Sequence, residues 1–408
     1  MASAVRPPVT SEQVRAQFPA LAGGFAFLEN AGGSQVPEVV LDAMTSFMRE
    51  SYVNTGAGYA ASDRAEEAVV GARRFMNLMF NGEGLGSVAF GQSTTALLAM
   101  LGHCFARTLQ PGDAIIISVA NHESNIAPWV RLAERGIVIK WWGVDPETGL
   151  SSLDDLAALV SPRTRVVAVA LTSNLVGDVV DVKRIAGMVR SVGAAVVVDC
   201  VAAAPHQALD AADWGVDFAV MSTYKVYGPH MGVLWGRSDA WNRLDGPNHF
   251  FLPEQGGKKF ELGCVSYEGC AGLIALSEYF HFLAGTGGEV TRETIVRAYE
   301  VMKCFEEPVQ ARLLDYLSSR RDIRLIGAKA SGPDRHPTVS FLHRDVLSPE
   351  VAAQVNRHAI GIRHGHMYAY RLCEAIAVPT ETGVVRVSAV HTNTVEEIDR
   401  LIAVLDQV

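Results

Sequence analysis

Between residues 86 and 237, short apolar runs alternate with longer amphipathic stretches. The runs are DAIIIS (113–118), RVVAVALT (165–172), AAVVVD (194–199), FAVMS (218–222) and GVLW (232–235). Unbroken Val/Ile/Ala runs bounded by Gly, Asp or Ser read as strands buried on both faces. Helices are predicted between them, as over 151–160 and 182–192. Such β-α alternation implies an α/β fold, a mainly parallel sheet with helices on both faces. Ligands of such sheets bind outside the carboxyl ends of the strands. Polar residues cluster at those ends: Asn174 after one run, Asp199 closing the next, and Ser222 to Lys225 after a third.

The pattern changes after about residue 290. A long helix is predicted over 292–318, then short strands over 323–326, 338–341 and 384–387, and a last helix over 395–408. This reads as a smaller α+β domain. The expected division is a large domain over 23–292, with residues 1–22 and 293–408 forming the small one.

Length and composition agree with two packed domains. The chain has 408 residues, 49% hydrophobic and 19% charged, the profile of a well-packed protein. A net charge of −9 without a basic patch argues against a nucleic-acid partner. The N-terminus MASAVRPPVTSEQ lacks a long apolar stretch, and no run reaches the roughly 18 residues a membrane span needs. The six cysteines form no C-x-x-C pair. Neither a disulfide framework nor a zinc site is indicated, and a reducing cytoplasm is the expected location. His364 and His366 stand in H-x-H spacing but lack further nearby ligands, so no metal is expected.

The chemistry gathers at the strand ends. Lys225 directly follows a strand expected to be fully buried. A lysine there is costly to desolvate unless paired, modified or depressed in pKa. Imine formation with an aldehyde is one use of such a lysine; a surface loop is the ordinary alternative. Asp199 could keep the ring nitrogen of pyridoxal 5′-phosphate (PLP) protonated, or merely cap a helix. Ser93-Thr94-Thr95 opens an apolar helix whose start offers N–H groups and a favourable dipole to a phosphate, or is a plain N-cap. Ser222 could add a phosphate ligand. His122 lies just past a strand end, where an imidazole could stack on a ring and move protons.

Together these pieces make the chain recognisable. It resembles the class V aminotransferase family of fold type I PLP enzymes, in the cysteine desulfurase-like branch. The resemblance runs from Leu28-Glu29-Asn30-Ala31 to the last helix. It rests on Ser93-Thr94-Thr95, Asn121-His122-Glu123-Ser124-Asn125, Ser173-Asn174-Leu175-Val176-Gly177, Asp199, Asp217-Phe218, Ser222-x-x-Lys225-x-Tyr227-Gly228-Pro229, Arg363-x-Gly365-His366 and Arg386-x-Ser388. The roles it implies are these. Lys225 anchors the cofactor as a Schiff base and moves the α-proton. Asp199 pairs with the pyridinium, Asn174 bonds the phenolic oxygen, and His122 stacks on the ring. Thr94, Thr95 and Ser222 hold the phosphate. Arg386 grips the substrate carboxylate with its guanidinium fork, and Arg363 lines the entrance. A homodimer with the active site at its interface is also implied.

The chain departs from the family pattern in ways that bear on function. In desulfurases the loop Arg-x-Gly-x-x-Cys carries the sulfur-accepting thiolate. Here it reads Arg363-His364-Gly365-His366-Met367-Tyr368, and a phenol cannot become a persulfide. Cys373 follows in an expected helix, where a buried and inert thiol is the expectation. Ala202 replaces a frequent glutamine. Tyr224 replaces a histidine and retains a hydroxyl for the phosphate. Cys264 stands where a threonine reaches the partner's phosphate. The segment from Asn54 to Ala60 lacks the family's arginine and histidine. The leading expectation is β-elimination from cysteine or a derivative, a C–S lyase, with Lys225 as base and Tyr368 closing the site or protonating the leaving group. Desulfuration through another thiol, transamination or epimerisation, and a non-catalytic partner role are the alternatives.

Overall fold

The computed structural model describes residues 6–252 and 256–408. The first five residues of the expected N-terminal arm lie outside them. The main sheet has seven strands in the order Gly86–Gly91, Gly232–Arg237, Phe218–Ser222, Ala195–Asp199, Thr164–Ala170, Ala114–Ser118 and Val138–Trp142. The last five run parallel to one another. Gly232–Arg237 is antiparallel to both of its neighbours, so the sheet is mainly parallel with one reversed strand next to the edge strand Gly86–Gly91. The strands Ala114–Ser118, Ala195–Asp199 and Phe218–Ser222 are buried at every position, which is why they carry unbroken apolar runs. Val138–Trp142 has no such run. It is the outer strand and largely solvated, so its sequence VIKWW mixes polar and aromatic residues.

A second sheet of four antiparallel strands runs Arg363–Gly365, Val384–Ser388, Thr338–His343, Ile323–Ile326. The helix Arg292–Ser319 joins the two halves. Its first part, with Ile295, Ala298 and Met302, packs into the core of the large sheet. Its second part, with Val309, Leu313 and Leu317, packs into the core of the small one. Pro308 lies between the two parts. The helix thus contributes to both cores.

The N-terminal segment is likewise shared between the two cores. Val14, Phe18 and Leu21 pack into the large core. Residues Ala26 and Leu28 instead join the small core, where Ala26–Phe27 pairs in parallel with Ile360–Gly361. Apolar burial decides the matter, since each segment sits where its side chains find a core. Among the described residues no helix is long and apolar enough to cross a membrane.

Candidate active site

Five successive chain crossings bring their carboxyl ends to one edge of the large sheet. Lys225 lies in a short 3-10 turn, Thr223–Lys225, directly after the buried strand Phe218–Ser222. It is 8% exposed. Burial pushes its pKa down to about 8; Arg386 adds to this, while Asp199 and Glu29 oppose it. Asp199 closes the neighbouring strand and is likewise buried. Burial raises its pKa; a hydrogen bond from the Val201 N–H (2.9 Å) and the charge of Lys225 pull it back.

His122 begins the turn after the strand Ala114–Ser118. Its Nδ1 accepts from the Ser124 N–H at 3.1 Å, which leaves the ring proton on Nε2. Burial, then Lys225 and Arg386, lower its pKa to about 4. Asn174 follows the strand Thr164–Ala170. Its carbonyl accepts from Arg386 Nη1 (3.1 Å), and its Nδ2 donates to the Met367 carbonyl (2.8 Å).

Ser93 caps the helix Thr94–Phe105 by accepting from the Ala96 N–H. Thr94 Oγ1 lies 2.7 Å from Ser222 Oγ, and Thr95 Oγ1 lies 2.7 Å from Ser124 Oγ. The strand Gly232–Arg237 backs directly onto this helix start. A Cβ on Gly232 would stand 2.6 Å from the Thr94 nitrogen, so only glycine permits the approach.

These residues line a narrow slot of about 60 Å³, together with Thr172, Val201 and Ala202. His122, Asn174, Tyr224 and Lys225 also line a wider mouth of about 520 Å³. Arg363, His366, Tyr368 and Arg386 rim that mouth. Arg363 and Arg386 are direct cross-strand partners. Glu29 Oε1 lies 3.2 Å from Arg363 Nη1 and 3.6 Å from Arg386 Nη2. Burial lowers Arg386 to about 10.

Tyr368 is exposed at the apex of its loop, with its ring 5.1 Å from that of His122. Met367 and Tyr368 both take positive φ, 50° and 60°, a region uncommon for such residues. Two hydrogen bonds hold them there: Asn174 Nδ2 to the Met367 carbonyl, and the Glu123 N–H to the Tyr368 carbonyl (2.8 Å). Cys373 lies in the helix Tyr370–Ala375, fully buried, with burial pushing its thiol to about 11.

Two predicted residues are placed differently from the rest. Cys264 is exposed and lines a separate cavity of about 440 Å³ with Phe90, Leu262 and Met231. Its Sγ lies 3.7 Å from Asn54 Oδ1. Tyr224 lines the slot, but its ring stacks on His230 at 4.6 Å. Sequence reasoning missed Thr172, Ser124 and Glu29. Thr172 had a usable signal: it is the hydroxyl residue just past the strand Thr164–Ala170, at its carboxyl end, where ligands of such sheets bind.

The site fits PLP on its own atoms. Thr172 Oγ1 and Asn174 Oδ1 are buried without a hydrogen-bond partner, and so is Nε of Arg386. Unpaired buried polar atoms are costly, and these line or rim one slot suited to a polar, anionic ring. The glycine-backed helix start suits a phosphate. Fold and site together define a PLP-dependent enzyme of fold type I.

The model of the family "Aminotransferase class-V" matches residues 26–401. The "Aminotransferase-like protein FGM3" of Gibberella zeae is 38% identical, over 97% of this chain and 98% of its own. A "Cysteine desulfurase" of Pectobacterium carotovorum is 30% identical, over 97% of each chain. The crystal structure of the cysteine desulfurase CsdA from Escherichia coli superposes with a TM-score of 0.83 at 26% identity, covering 98% of both chains. The chain belongs to the class V aminotransferase family, in its cysteine desulfurase-like branch, and PLP is its cofactor.

Proposed function

We propose that this enzyme cleaves the Cβ–S bond of cysteine or a cysteine derivative by β-elimination. The observation that carries the reading is Tyr368, which occupies the loop apex while the next cysteine, Cys373, is buried in a helix. The loop over such a site offers no thiolate to accept sulfur.

PLP, when bound, supplies an aldehyde and an electron sink for a developing α-carbanion. Lys225 would hold the aldehyde and, once its amine is free, would take the proton from the substrate Cα. Asp199 would hold the proton on the ring nitrogen, and Asn174 would serve the phenolic oxygen. His122, neutral at working pH, would stack on the ring. Thr94, Thr95, Ser222 and the Tyr224 hydroxyl hold the phosphate. Arg386 grips the substrate carboxylate, and Arg363 guards the entrance. Tyr368 covers the mouth and returns a proton to the leaving sulfur. With cysteine and water the products are sulfide, pyruvate and ammonia.

We further propose a cytoplasmic homodimer. The exposed apolar side chains of Tyr52, Phe250, Phe251 and Leu262 support an interface. The six free cysteines support a reducing compartment. Cys264, away from its own Lys225, would serve the partner's phosphate.

The deciding experiment incubates the holoenzyme with cysteine, with and without reductant, and measures sulfide, pyruvate and alanine. Pyruvate supports elimination. Alanine replaces it with desulfuration. Neither product removes cysteine as the substrate.

A further inference from the structure

Lys225 is useful only if its amine stands at a fixed place relative to Arg386, yet the two come from different sheets. The segment Glu29–Ser34 spans the gap between them. At one end the Asn30 N–H and Nδ2 both donate to the Ser388 carbonyl (3.2 and 3.0 Å), and the Ala31 N–H donates to Ser388 Oγ (2.9 Å). Ser388 ends the strand that carries Arg386. Glu29 lies against Arg386 itself.

At the other end stands Ser34. Its Oγ donates to the Tyr224 carbonyl at 3.0 Å and accepts from the Tyr227 N–H at 2.9 Å. Its own N–H donates to the same Tyr224 carbonyl at 3.1 Å. One hydroxyl therefore holds both flanks of Lys225, using its single proton on one side and a lone pair on the other. The turn it holds is not a relaxed one. Tyr227 has φ +63°, which a bulky residue keeps only under outside constraint.

We propose that Ser34 is a positioning residue for Lys225. Its hydroxyl pins the lysine turn to the segment that holds Arg386, and so sets the spacing between base and carboxylate grip. The inference rests on Lys225 being the cofactor anchor and base. It does not depend on which bond is cleaved.

The test follows exchange of the α-proton of L-alanine in D₂O by NMR, with PLP-loaded wild type, Ser34→Ala, Ser34→Thr and Lys225→Ala. Ser34→Ala is expected to lower kcat for exchange about tenfold, since small misplacements of a reacting group are costly. KM is expected to stay within about twofold, because the carboxylate contacts are untouched. Ser34→Thr restores the rate. Should the alanine variant not fold, Ser34→Cys replaces it and is expected to fall between alanine and wild type. The proposal is overturned if Ser34→Ala keeps kcat within about twofold, if only KM moves, or if threonine does not restore the rate. Undiminished exchange in Lys225→Ala would instead mark the anchor assignment as the part that failed.

Discussion

Arg363 faces Arg386 directly across two antiparallel strands, and the Glu29 carboxylate lies against both guanidinium groups. Like charges in that register repel. Here one of them is fully buried, so a counter-charge from another part of the chain is needed. Arg386 keeps Nε free and Nη1 on the Asn174 carbonyl, so the fork is already aimed before any substrate arrives.

Glu29→Gln is expected to destabilise the protein by about 1 kcal/mol, a modest figure because Glu29 and Arg363 are partly solvated. Urea unfolding at low and high salt checks it, and salt should narrow the difference. Arg386→Lys loses the planar fork. It is expected to weaken binding of amino-acid carboxylates by about 2 kcal/mol, roughly thirtyfold. A titration with L-alanine, read by cofactor absorbance, measures this. Unchanged binding would remove Arg386 from the substrate site.

The lowered pKa of Lys225 gives a pH dependence of defined sign. Its folded value is about 8, against an ordinary 10.5. Between those values the unfolded chain binds the proton and the folded one does not. Stability from this group therefore rises with pH from about 8 to 10.5, and its burial penalty is full below 8. Only the neutral amine captures an aldehyde. The rate of PLP uptake by the apoprotein is thus expected to climb with pH through a midpoint near 8 before levelling off. Asp199→Asn removes the charge that holds the value up, so its midpoint should fall. Stopped-flow absorbance across this range measures both. A midpoint near 10.5 would show that burial does not act on this lysine.

Tyr368→Cys places a thiol at the loop apex, in a backbone already held by Asn174 and Glu123. With cysteine and a reductant, the ratio of alanine to pyruvate is expected to rise by about tenfold or more, since a nucleophile now stands where sulfur leaves. Cys373→Ala should leave the ratio unchanged, its thiol being buried and pushed up to about 11. Loss of wild-type alanine formation in Cys373→Ala would mean that this thiol reaches the substrate after all.

Much of the architecture is legible in local patterning. The strand runs over 114–118, 195–199 and 218–222 are buried on both faces, and such strands must be uniformly apolar. The helix Arg292–Ser319 and the closing helix Val395–Leu405 likewise follow their apolar spacing. The outer strand Val138–Trp142 is not legible, because one solvated edge relaxes the demand for apolar residues. The two-core course of the helix Arg292–Ser319 is hidden for a different reason. A helix buried along its length shows the same periodicity whichever core it meets.

The sequence by itself determined the strand ends and the order of Thr94, His122, Asn174, Asp199 and Lys225 along them, while the place of Tyr368 in the loop came from the family resemblance. The strand ends and that order follow from residue type and spacing, which are local properties. Only the tertiary structure decided which side chains meet across distant segments. Glu29 between two arginines, the Ser34 hydroxyl on both flanks of Lys225, and Cys264 outside its own slot all depend on contacts between residues far apart in the chain. Periodicity carries no record of such contacts, because they are set by how the two cores pack against each other.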